Sequence, residues 1–278
     1  MNNKIAIVTG SSSGFGMLSA VELACAGFIV IAAMRDVKKS APLLELAKKK
    51  HAAENIRVSS LDVTSAESIE QFRSTLKELS SVDVLVNNAG FARGGFSEEL
   101  TVDDYRSQFE TNFFGVIAVT QAVLPFMRAR KQGRIINVSS ISGRIGFPGL
   151  SAYVSSKHAL EGYSESLRLE LKPFGIDVSL IEPGSYQTNI WSGMGQIKLR
   201  ETSPYLPYMK TLINKIESGK ADHGDPLEVA KLVASIAAQP AVPNLRYPVG
   251  KGVKKSILLK TLLPWKRLES AILKKLRP

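Results

Sequence analysis

The chain has 278 residues, 44% hydrophobic and 22% charged, with a formal net charge of +11. That length suits one large α/β domain and is short for two, while three histidines and one cysteine exclude a metal cluster and an internal disulfide. Ten of the 36 Lys and Arg residues, against one acid, lie from Arg246 onward, so the last 33 residues carry +9 and the remaining 245 only +2; a near-neutral body excludes the basic face of a nucleic-acid-binding domain.

Met1-Asn2-Asn3-Lys4 runs into a strand pattern without the apolar stretch and cleavage site of a signal peptide. No apolar run reaches the roughly 18–20 residues of a membrane span. The sequence therefore reads as a cytoplasmic protein. Ile5–Thr9 is a short apolar strand, followed by glycine-rich sequence and a helix over Met17–Ala26 in which Cys25 is expected as a small core residue. Further strands are predicted at Phe28–Met34, Ile56–Leu61, Val82–Asn87, Arg134–Ser139 and Ile176–Glu182, with helical stretches between most of them. Strands alternating with helices predict βαβ crossovers and a doubly wound, mainly parallel seven-stranded sheet of the Rossmann type. Residues 185–224 break this rhythm, as a substrate lid would, with a helix near Tyr208–Glu217. Asp225-Pro226 then starts a helix to Ala238.

Thr9-Gly10-Ser11-Ser12-Ser13-Gly14-Phe15-Gly16 joins the first strand to the first helix. Gly10 permits a tight turn, Gly14 close approach of a pyrophosphate, and Gly16 close packing of helix on strand, while the helix N-terminus offers free N–H groups. Tyr153 and Lys157 are four apart in a helical stretch and share a face. An ammonium beside a phenol is expected to lower the phenol pKa from about 10 towards neutrality, as an acid/base catalyst requires. Ser140 supplies a hydroxyl able to hold a carbonyl oxygen. His158 is expected to point away from the Tyr153 face.

The spacing TGxxxGxG resembles the short-chain dehydrogenase/reductase family, and the resemblance continues through Asn87-Asn88-Ala89-Gly90, Asn112, Ser140, Tyr153-xxx-Lys157 and Pro183-Gly184-xxx-Thr188, over about residues 4–190. It implies a nicotinamide-dependent oxidoreductase acting on a small carbonyl or alcohol, commonly as a homo-oligomer. It implies Tyr153 as acid/base, Ser140 as substrate holder, Lys157 as a second contact to the nicotinamide ribose, and Asn112 as the holder of a relay water. The implied cofactor contacts are Gly10, Ser12, Ser13, Gly14, Phe15, Gly16, Asp62, Val63, Asn88, Ala89, Gly90, Tyr153, Lys157, Pro183, Gly184 and Thr188. At the end of strand two, Met34 stands where NAD-preferring members carry an acid, and Arg35 follows, favouring NADP(H) over NAD(H). Asp36 weakens that choice if the register is shifted by two.

Trp191, Met194, Ile197, Tyr205, Leu206, Tyr208, Met209 and Leu212 give the lid an apolar, aromatic character, which suggests an apolar substrate such as a steroid, retinoid or simple ketone. Arg246-Tyr247-Pro248-Val249-Gly250 resembles the C-terminal element of family members acting on steroids and retinoids. The catalytic domain is assigned to residues 1–250 and a basic amphipathic extension to 251–278. In that extension Leu258, Leu262, Trp265, Ile272 and Leu276 recur at helical spacing, and Pro264 starts a second helix. Packing on the lid or a partner subunit, and peripheral contact with an anionic membrane, are both compatible with it. Two other functions share some of these motifs: a non-enzymatic NADP-binding regulator, and a sugar-nucleotide epimerase or dehydratase, which also uses a Tyr-xxx-Lys pair.

Overall fold

The computed structural model describes residues 4–79, 81–188, 190, 201–218 and 223–276. Seven parallel strands form one sheet in the order β3-β2-β1-β4-β5-β6-β7. They are β1 (Ile5–Thr9), β2 (Ile29–Met34), β3 (Ile56–Ser60), β4 (Val84–Asn87), β5 (Gly133–Val138), β6 (Ile176–Pro183) and β7 (Arg246–Val249). The order reverses between β1 and β4, which opens a crevice at the carboxyl ends of these strands, where ligands of open α/β sheets bind.

Successive residues of a strand point to opposite faces, and the apolar runs serve both. Ala6, Val8, Val30, Ala32, Val84 and Val86 face α1 (Gly14–Cys25), α2 (Ala41–Lys49) and α8 (Pro226–Ala238). Ile5, Ile7, Ile31, Ala33 and Leu85 face α3 (Ala66–Leu76), α5 (Gly115–Ala129) and α6 (Ser151–Leu171). The predicted cap of α8 is present: the Asp225 carboxylate accepts from the Leu227 N–H at 2.9 Å, with Pro226 in the first turn. Cys25 departs from expectation. It is exposed, because it lies in the last turn of α1 on the side away from the sheet, next to the Ala26-Gly27 turn.

Between β4 and β5, α4 (Val102–Phe109), a π turn (Glu110–Phe114) and α5 form one continuous helix, Val102–Ala129. By length and composition it is apolar enough to cross a membrane, but Val119, Val123 and Met127 are buried against the sheet. A ladder of buried polar side chains crosses this face. Asn87 Nδ2 donates to Thr120 Oγ1 at 3.0 Å and to Asn137 Oδ1 at 2.9 Å, Asn137 Nδ2 donates to Ser164 Oγ at 2.8 Å, and Ser164 donates to the Leu160 carbonyl at 2.7 Å. After α7 (Leu206–Ser218), α8 and β7, the chain ends in α9 (Val253–Leu262) and α10 (Trp265–Leu276), broken at Pro264 as the sequence predicts.

Candidate active site

A cleft of about 1100 Å³ lies over the crevice. The glycine turn forms its floor. Gly10 adopts φ +66°, and a Cβ there would sit 2.7 Å from the Ala89 Cα, so the turn and the Asn88-Ala89-Gly90 segment touch through backbone alone. Thr9 ties them together. Its hydroxyl accepts from the N–H groups of Asn88 and Ala89, each at 3.0 Å, while Asn88 Nδ2 donates to the carbonyls of Thr9 at 2.9 Å and Gly10 at 3.2 Å. Gly16 lies beneath: its Cβ would fall 2.4 Å from both the Gly10 carbonyl oxygen and Asn88 Nδ2.

The predicted site residues Gly10, Ser12, Ser13, Gly14, Phe15, Arg35, Asp62, Val63, Asn88, Ala89, Gly90, Asn112, Ser140, Tyr153, Lys157, Pro183, Gly184 and Thr188 all line this cleft. Gly16 does not; it supports the turn from below. A dinucleotide fits the donor set. The start of α1 opens onto the cleft with no side-chain cap and no acid in its first turn, leaving N–H groups and the positive end of the helix dipole for a pyrophosphate. At the far end the wall is Met34, Arg35 and Lys39, beside Leu61, Asp62, Val63 and Thr64. Asp36 is turned to local use, its carboxylate accepting from the Lys38 N–H at 3.1 Å, and it does not line the cleft. Hydrogen bonds from the Thr64 N–H and hydroxyl hold the Asp62 carboxyl below its ordinary range.

At the catalytic end, Ser140 follows β5 and its side chain caps a 3₁₀ turn by accepting from the Ser142 N–H at 3.1 Å. Tyr153 and Lys157 project from one face of α6, both nearly fully buried. Burial pushes the Tyr153 phenol up to about 12, against a hydrogen bond from Ser140 that pulls it down. Burial also draws the Lys157 ammonium down to about 8, against the nearby Glu161 carboxylate. The expected lowering of the phenol by the lysine is therefore not found. Lys157 Nζ donates to the Val138 carbonyl at 2.7 Å and lies 5.8 Å from the Tyr153 ring centre, so loss of water outweighs the shared helix face. His158 lies outside this group, exposed and bonded through Nδ1 to the Val154 carbonyl at 3.0 Å.

Asn112 sits in the π turn, a local widening common at functional sites. Its Oδ1 accepts from the Phe91 N–H at 3.1 Å, and its Nδ2 donates to the Phe91 carbonyl at 3.0 Å and to Ser156 Oγ at 3.3 Å. Behind Lys157 lies a buried charge cluster that sequence reasoning missed. Arg246 Nε reaches Glu161 Oε2 at 3.0 Å and Glu182 Oε1 at 3.2 Å, its Nη2 pairs with Glu165, and Arg144 holds the same Glu182 oxygen at 2.9 Å. Two guanidinium groups thus serve three carboxylates. Burial pushes Glu161 up to about 7, with the Ser139 hydroxyl and Arg246 pulling down and the Glu182 charge pushing further up.

The lid is only partly as expected. Trp191, Met194 and Ile197 lie outside the described residues. Met209 is fully buried, Tyr205 stacks on Phe96 at 4.6 Å, and Leu212 comes close enough to Gly149 that a Cβ there would lie 3.0 Å from it. Neither these three nor Leu206 and Tyr208 line the cleft, whose apolar lining includes Phe91, Pro183, Tyr186 and Ile190. Tyr186 is set by its hydroxyl donating to Glu228 at 2.7 Å and by an edge contact with Phe15.

Residues 4–197 match the short chain dehydrogenase family. The chain belongs to the short-chain dehydrogenase/reductase family. It is 50% identical to the uncharacterized oxidoreductase YusZ of Bacillus subtilis (strain 168) over 99% of each chain. It is 35% identical to the 3-ketodihydrosphingosine reductase of Bacteroides thetaiotaomicron, over 90% of this chain and 89% of the relative. A short-chain dehydrogenase from Streptomyces avermitilis has the same fold, with a TM-score of 0.80 and 33% identity over 98% of each chain. The protein is an oxidoreductase of this family, whose members bind a nicotinamide cofactor and act on small molecules.

Proposed function

We propose that this dehydrogenase/reductase moves hydride between NADP(H) and a carbonyl or secondary alcohol on an apolar substrate, with Tyr153 transferring the proton. The observation that carries the reading is the hydrogen-bonded Ser140–Tyr153 pair in the cleft wall, with the buried Lys157 one helical turn beyond. The glycine turn and Lys157 would hold a nicotinamide cofactor, which would supply or take the hydride.

The chain's own groups handle the oxygen. In reduction the Ser140 hydroxyl donates to the substrate carbonyl oxygen and the Tyr153 phenol delivers its proton to the same atom. A phenol held near 12 stays protonated at neutral pH, which suits it to the reductive direction. Lys157, drawn down to about 8 and bound to the Val138 carbonyl, is assigned to hold the nicotinamide ribose rather than to lower the phenol. Asn112 is locked to the Phe91 backbone and Ser156 with both amide protons engaged, which leaves one Oδ1 lone pair to accept from a relay water. Choice of NADP(H) is supported by Arg35 and Lys39 at the far end of the cleft, where no carboxylate opposes a 2′-phosphate except Asp62, already engaged with Thr64. The apolar substrate is supported by Phe91, Pro183 and Ile190 in the cleft lining, and by similarity to a relative named for reducing a ketone of a sphingoid base.

The test is oxidation of NADPH and of NADH by the pure enzyme with a 3-ketosphingoid base, retinal, steroid ketones and short polar ketones. Turnover is expected with NADPH and the apolar ketones, falling by about 10²–10⁴-fold in Tyr153→Phe. Equal rates with polar ketones would overturn the substrate reading, faster turnover with NADH would overturn the cofactor reading, and an unaffected Tyr153→Phe would overturn the mechanism.

A further inference from the structure

We propose that α9 and the start of α10 form a docking surface for an anionic lipid bilayer. Leu258, Leu259, Leu262 and Trp265 are all exposed there, between 39% and 68%, and lie within eight residues of one another. Leu258 and Leu262 are one helical turn apart and share a face of α9. Scattered exposed leucines need no explanation, but a group of this density, ending in a tryptophan, does.

Charge identifies the occupant. Lys254 and Lys255 precede the apolar group in the chain and Lys266 and Arg267 follow it, all exposed and none in an ion pair among the described residues. Glu269 is the one acid in the last 32 residues of the chain. Exposed apolar side chains and an indole flanked along the chain by exposed basic residues match a headgroup layer of anionic lipid, where the basic groups find phosphates and the leucines and indole reach the acyl boundary. A second copy of the chain is the poorer match, because a twofold contact would bring two +9 segments face to face. Helices of 10 and 12 residues, broken at Pro264, are too short to span a bilayer and are suited to lying on it. α10 is anchored to the body by packing on α7, with Leu268, Ile272 and Leu276 half-buried, so the surface is held in place rather than trailing.

The experiment uses the full-length protein carrying Trp191→Phe, which leaves Trp265 as its sole tryptophan. It is mixed with phosphatidylcholine vesicles containing either no anionic lipid or about one third phosphatidylserine. Sedimentation with the anionic vesicles is expected to be at least about tenfold stronger than with neutral ones, given the contribution of each lysine near a charged surface, with a blue shift of Trp265 emission. Leu258→Gln/Leu262→Gln is expected to lose the blue shift and most of the binding. Lys254→Gln/Lys255→Gln/Lys266→Gln, which spares the apolar group, is expected to remove the preference for anionic vesicles. Equal or absent binding to both vesicles would overturn the proposal. So would binding with no change in Trp265 emission. A leucine variant that turns a dimer into a monomer in sedimentation velocity would assign the patch to a second copy instead.

Discussion

Replacing Glu161 by Gln tests whether the buried charge cluster behind Lys157 is costly to the fold. Glu161 lies 7% exposed, with its Oε2 3.0 Å from Arg246 Nε, and burial raises its carboxyl from 4.5 to about 7. Between those two values the folded chain holds a proton that the unfolded chain has released. Folding stability therefore falls as pH rises through that window, and it is lowest once Glu161 is ionised in the fold. A shift of roughly 2.5 units at 1.36 kcal/mol each corresponds to about 3 kcal/mol. Gln keeps the shape and the acceptor for Arg246 but never ionises, so it escapes this cost. Urea unfolding of the two proteins at pH 5, 6, 7 and 8 measures the difference, and comparing the pair cancels the titrations of groups that Glu161 does not touch. The variant is expected to gain about 2.5 kcal/mol on the parent between pH 5 and pH 8, with the gain concentrated below pH 7.5. A difference that is constant across this range, or that moves in the parent's favour at high pH, would refute the reasoning and show that Arg246 compensates the Glu161 charge in full.

Three further outcomes are expected. Arg35→Ala is expected to raise the KM for NADPH by about 10–100-fold, the worth of a charge-assisted hydrogen bond, with little change for NADH; Lys39→Ala is expected to do the same more weakly. Thr9→Val leaves the Asn88 and Ala89 N–H groups without their acceptor, at about 1–3 kcal/mol for each group that stays dry, and is read by chemical unfolding. Gly16→Ala drives a methyl to within 2.4 Å of the Gly10 carbonyl oxygen, so unfolding is expected to be easier by about 1–3 kcal/mol, and cofactor titration is expected to show weakened binding although Gly16 does not line the cleft.

The strands were legible because a parallel sheet covered on both sides demands nearly unbroken apolar runs, and Ile5–Thr9 or Ile176–Glu182 can be little else. The helix starting at Asp225-Pro226 was legible from its capping chemistry. The cleft residues were legible through motif order, which places Gly10, Asn88 and Ser140 beyond the ends of neighbouring strands and Tyr153 on the helix that follows. What escaped depends on contacts between distant segments. Arg246 meets Glu161 and Glu182 across 85 and 64 positions of sequence, and no local pattern announces such a triad. Lys39 reaches the cleft because a 3₁₀ turn follows β2, a detail that spacing alone does not supply. The π turn under Asn112 left no mark in an otherwise regular helical pattern. The Tyr153 titration was misjudged because a four-residue separation says that two side chains share a face, but not how dry that face is.

The Asn87–Asn137–Ser164 ladder has a consequence for how the sheet assembles. Buried strands that are apolar on every residue carry little information about alignment, since β4 sliding along β5 by two positions would still bury valine against isoleucine. The paired amides remove that freedom. Any slip would strand two carboxamides and a threonine hydroxyl in a dry interior, where each unpaired group costs about 1–3 kcal/mol. Asn87 and Asn137 thus act as an alignment key at the centre of the sheet, and the key sits one residue from the turn that carries Asn88 and Ala89. An error of registry would displace the cofactor floor and destabilise the fold together, so a chain that has folded at all has its cleft in alignment.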